Sequence, residues 1–95
     1  MERENLFNLY VEAYFGVREM DEYVLKEYVL KDIENYIKDF VYTNDIDINY
    51  AKENAERIKY EVNIKTKLQS SLILLNKMNA PEELILLVRK KVKTI

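Results

Sequence analysis

Asp45, Asp47, Asn49, Glu53 and Glu56 are the side chains whose spacing comes nearest to a chemical site in this sequence. They fall at positions one, three, five, nine and twelve of the oxygen-ligand loop that wraps a calcium ion between two helices. Two residues break the pattern. The sixth position, where such a loop turns sharply and needs glycine, is Tyr50, and the eighth, normally apolar, is Lys52. The segment Thr43 to Asn49 therefore reads as a polar interhelical loop, with Asp47 or Asn49 capping the helix that follows.

Arg89, Lys90, Lys91 and Lys93 form a second cluster, near the end of the chain. Clustered cations can contact phosphates with an affinity that falls steeply with salt. Cations in the last turn of a helix also complement its dipole, and a formal net charge of −2 is poor footing for nucleic-acid binding. Nucleic acid is thus the alternative partner class and a protein the preferred one. Ser70 and Ser71 could be activated only by a lysine such as Lys67 or Lys77, because the chain has no histidine. It has no cysteine either, which removes thiolate chemistry, zinc ribbons and iron–sulfur ligation. Gly16, the lone glycine, cannot build a phosphate-cradling loop. The reading is of a protein without catalysis, cofactor or metal.

Few glycines and prolines leave little material for hairpin turns, so the elements that must position these side chains are helices. The first runs from about Glu2 to Phe15, with Leu6, Leu9, Tyr10, Ala13 and Tyr14 on one face and Gly16 as its stop. Asp21 caps the second, with Met20 and Leu25 in the two positions of a hydrophobic staple. That helix reaches Tyr42, and Glu22 with Lys26, Glu27 with Lys31 and Glu34 with Lys38 are spaced as four-residue ion pairs. A long third helix extends from the polar loop to Met78, with its apolar stripe shifting near Asn63. Within it Ile58, Tyr60, Val62, Ile64, Thr66 and Leu68 alternate with polar residues, the period of a strand, so residues 58–68 carry a rival strand reading. Asn79, Pro81 and Glu82 read as the capped start of a fourth helix that carries Leu84 to Val88 and Val92.

At 95 residues with 48 % hydrophobic content, the chain is expected to be one helical domain, residues 1–95. The fold class is all-α: a four-helix bundle with a long third helix and a C-terminal helical hairpin. Leu84 to Val88 is far shorter than a membrane span of about 20 residues, and the first residues alternate charge with apolar side chains, so no membrane span is expected and the location reads as cytoplasmic.

Charge and apolar surface divide unevenly. Residues 1–47 carry 12 acids and 5 bases, and residues 48–95 carry 5 acids and 10 bases, a charge of −7 on one half and +5 on the other. All the aromatic residues lie between Phe7 and Tyr60. Tyr10, Tyr14 and Tyr36 fall on core stripes, while Tyr23, Tyr42 and Tyr60 fall off them and are candidates for a partner surface. Leu72 to Leu75 and Leu84 to Val88 place apolar residues on nearly every side of two adjacent helices, which must then be covered all round. The expectation is a homodimer, or an obligate partner, joined through Leu72, Leu75, Leu84, Leu87, Val88 and Val92, and a function as a non-catalytic regulatory, adaptor or inhibitor module.

Overall fold

Helices form wherever the three- and four-residue apolar spacing is sustained, and they break where that spacing changes phase. In the computed structural model, which describes residues 2–21 and 23–95, there are five: α1 (Glu2–Arg18), α2 (Lys26–Thr43), α3 (Ile48–Glu61), α4 (Ile64–Lys77) and α5 (Glu82–Thr94). No strand occurs among the described residues. The radius of gyration, 12.7 Å, is close to the roughly 12 Å of a folded chain of this length.

α1 is the central element. Tyr10, Ala13 and Val17 enter a large core shared with α2, α4 and α5, while Phe7 and Val11 enter a second, smaller core with Ile46, Ala51 and Ile58. α4 crosses α1 closely, α2 and α3 both rest on α1, and α5 packs on α4.

Gly16 does not stop α1, which continues to Arg18. It sits where α4 crosses, and a Cβ there would collide with the Ser71 hydroxyl and the Lys67 carbonyl. Glycine inside a helix costs about 0.5–1 kcal/mol relative to alanine, and the close crossing is what offsets that cost. Two serines complete the joint: Ser70 donates to Glu12 Oε1 at 2.7 Å, and Ser71 Oγ lies 2.9 Å from both the Ala13 and Lys67 carbonyls.

The long third helix is two helices. Val62 is extended, and Asn63 caps α4 by accepting from the Thr66 amide at 2.8 Å. The shift of stripe near Asn63 is the reason: Ile58 faces the small core and Leu68 the large one, on different sides of α1, and a straight helix could not serve both. The alternation over residues 58–68 arises from the junction of two helices, not from a strand. Lys67 reaches back across the break and donates to the Lys59 carbonyl at 2.8 Å, satisfying an orphan acceptor at the end of α3.

The α2–α3 and α4–α5 turns are closed by non-glycine residues in the left-handed region. Asp45 has φ 52°, with the Ile46 amide bonded to the Val41 carbonyl at 3.0 Å and the Asp45 amide to Tyr42 at 3.3 Å. Asn79 has φ 55°, and Ala80 bonds to Leu75 at 2.9 Å. Both are Schellman ends. Asn79 therefore finishes α4 and does not cap the final helix, whose N-cap position is Pro81. α2 likewise starts at Lys26, later than the cap expected at Asp21, because Met20 turns into the core while Leu25 stays exposed and no staple forms. The Glu22–Lys26 pair lies outside the described residues. Glu27–Lys31 and Glu34–Lys38 do not close, since the ion pair within 4.0 Å among the described residues is Arg3–Glu4.

Candidate binding groove

Several of the polar side chains singled out by the sequence, Asp47, Lys67, Ser70, Ser71 and Lys77, make structural hydrogen bonds. Asp47 Oδ1 accepts from the Asn49 amide at 2.7 Å and the Tyr50 amide at 3.2 Å, so the second ligand position of the calcium pattern is the N-cap of α3. No group of three or more His, Cys, Asp or Glu side chains suited to a metal ion assembles among the described residues. Ser70 and Ser71 bridge α1 and α4, Lys67 is on the Lys59 carbonyl, and Lys77 donates to the Tyr10 hydroxyl at 2.8 Å. The hydrogen bond to Tyr10 raises the Lys77 pKa above its usual value, which keeps the amine protonated.

That lysine belongs to an aromatic cluster. The Tyr10 ring meets Tyr36 and Phe40 edge-on, each at 5.1 Å between centroids. Burial raises the Tyr36 pKa, and the neighbouring Tyr10 adds to the effect.

The C-terminal hairpin is mostly spent inside the chain. Leu75, Leu84 and Val88 are fully buried in the large core, and Leu72, Leu87 and Val92 are half-buried at its edge. Ile73 and Leu86 are the exposed apolar side chains of α4 and α5, and Val24 at the entry to α2 shares a shallow patch with Leu86. Arg89, Lys90 and Lys93 are exposed, whereas Lys91 donates to the Glu19 carbonyl at 3.1 Å. Tyr42 and Tyr60 point to solvent, and Tyr23 packs against the core.

Open apolar surface gathers instead between α2 and α3. α2 and α3 leave the Asn44–Asp47 turn, both seated on α1, and a groove of about 450 Å³ lies between them. Phe7, Val11 and Phe15 form its floor; Ile37, Val41 and Tyr42 line the α2 side; Ile48, Ala51 and Ala55 line the α3 side. Alanines at two of these α3 positions leave the space that larger side chains would fill. At one end the Tyr14 hydroxyl donates to Glu34 Oε2 at 3.3 Å, and burial followed by the Glu34 charge raises the Tyr14 pKa. The Arg18 guanidinium lies 6.0 Å from the Tyr14 ring centre and 5.9 Å from that of Phe15. Lys38 and Lys52 stand on opposite walls.

Of the residues picked out from the sequence as partner surface, Tyr42 alone lines this groove. The signal passed over was the spacing of Phe7, Val11 and Phe15, a second four-residue stripe on the first helix beside the one that was read. The fold and the groove together define an all-α protein with an open apolar cleft. The chain matches no protein-family model, and neither the curated proteins nor the solved structures give a match to it.

Proposed function

We propose that this protein is a non-catalytic interaction module, of regulatory, adaptor or inhibitor type, that receives side chains of a protein partner in the α1–α2–α3 groove. The observation that carries this reading is the groove itself: an almost wholly apolar lining left open, with Ile48 58 % and Tyr42 79 % exposed at its lips. Apolar surface gathered in a concave site of this size is where binding energy is available. The absence of catalysis is part of the proposal, supported by the structural occupation of Ser70, Ser71, Lys67 and Lys77. A cytoplasmic location belongs to the same reading and rests on the cysteine-free composition. No helix among the described residues is long and apolar enough to cross a membrane.

A second reading is self-association through the hairpin, favoured by Val24 at 91 % exposure beside Leu86 at 50 % on one shallow patch. Photo-crosslinking residues placed separately at Ile48, Leu86 and Lys93 of the full chain, expressed in its host, distinguish the readings. Protein adducts concentrated at Ile48 are expected. Adducts of twice the chain mass from Leu86 alone would favour the dimer, and nuclease-sensitive adducts from Lys93 would favour a nucleic-acid-associated regulator.

A further inference from the structure

The groove limits what can fill it. Its floor and walls belong to helices, so the backbone groups around it are already hydrogen-bonded. An extended peptide laid there would find no partners for its own N–H and C=O groups, whereas a helix arrives with its backbone satisfied. The slot is open to solvent along its length, so an acyl chain would keep one side wet. An amphipathic helix closes it with one face and presents the other to water. Ile48 to Ala55 spans about 10 Å at 1.5 Å per residue, enough for side chains spaced i, i+3 or i+4, and i+7.

Charge narrows the choice further. Lys38 on α2 and Lys52 on α3 line the slot from opposite walls, and neither has an ion pair among the described residues. Glu34, the acid in the lining, is engaged by the Tyr14 hydroxyl at one end. Two cations without an ion-pair partner thus flank an apolar slot, and one of them, Lys38, stands in the half of the chain whose own charge is strongly negative. We infer that the groove takes a partner's amphipathic helix bearing carboxylates on both sides of its apolar stripe, one side set to Lys38 and the other to Lys52.

This inference rests on the groove being the working surface, and the test separates the two. The probes are fluorescein-labelled synthetic helices of about 18 residues with one leucine stripe, flanked in one peptide by glutamates and in its twin by lysines. Anisotropy with the full chain is expected to show the glutamate peptide binding about tenfold more tightly than its twin. The double variant Lys38→Glu/Lys52→Glu, both at exposed positions, should reverse that order. Ile48→Asp should weaken both peptides while leaving the circular dichroism and melting unchanged. Equal binding of both peptides to the wild type and the double variant would overturn the acidic helix and leave the groove standing. No binding of either peptide, or binding unaffected by Ile48→Asp, would overturn both. A fluorescent long-chain fatty acid that binds where neither peptide does would assign the slot to an acyl chain and overturn the helix.

Discussion

Gly16 on α1 and Ser71 on α4 meet so closely that no carbon fits between them. The crossing is fixed on one side by the missing side chain and on the other by a hydroxyl that donates to a carbonyl of its own helix or of its neighbour. Gly16→Ala gains helix propensity but forces α1 and α4 apart, because one of the colliding groups is the Lys67 backbone carbonyl, which cannot rotate away. Overpacking of this kind costs about 1–3 kcal/mol. The melting temperature should fall by roughly 10 °C in a domain of this size, and Ser71→Ala in the same background should recover only part of it. A variant that melts with or above the wild type would show that the helices have room to spare.

The helix breaks make separate demands. Asn63→Ala removes the side chain that accepts from Thr66 and should cost about 1 kcal/mol. Asp47→Ala removes the cap of α3 and should cost a similar amount. Because Asp47 acts as a cap, calcium at millimolar concentration should leave the melting of wild type and variant unchanged. A calcium-dependent rise in the wild type that Asp47→Ala abolishes would restore the metal reading.

The helical class was legible because it follows from apolar spacing and scarce turn residues, both local properties. The stripe shift near Asn63 was visible too, but its consequence was not: whether a shifted stripe bends, breaks or simply faces a new neighbour depends on where α1 lies. Gly16 misled for the same reason, since a glycine at a helix end and one at a helix crossing look alike without the partner helix. Asn79 offered a side chain suited to starting one helix and a tolerance of positive φ suited to ending another, and the Leu75 carbonyl decided between them. The groove stayed hidden because it is made by three helices, each contributing a stripe that in isolation reads as ordinary core.

Alkaline pH should loosen the aromatic cluster. Tyr14 and Tyr36 hold their protons more tightly than an ordinary phenol at 10.0, and Lys77 more tightly than an ordinary lysine at 10.5. The folded chain therefore binds more protons than the unfolded chain in this range, and stability falls as pH rises. The contribution is complete below about pH 10 and disappears as pH passes through the raised folded values. Urea midpoints measured at about pH 8 and pH 11 should differ more for the wild type than for Tyr36→Phe. Equal differences would remove Tyr36 from the account.

Leu84 and Leu86 are two residues apart in α5 and should behave oppositely. Leu84 has no exposed surface and shares the large core with α1, α2 and α4, so Leu84→Ala should cost about 2–5 kcal/mol. Leu86 is half exposed, and Leu86→Asp should change stability by no more than about 0.5 kcal/mol at low protein concentration. Concentration then discriminates between the two surfaces, because an association that stabilises the fold makes melting depend on how much protein is present. If the groove is the working surface, the wild-type melting temperature stays constant from micromolar to millimolar protein and light scattering gives a single chain mass. If the hairpin patch joins two copies, melting rises with concentration in the wild type, and Leu86→Asp flattens that rise without touching the core beneath it.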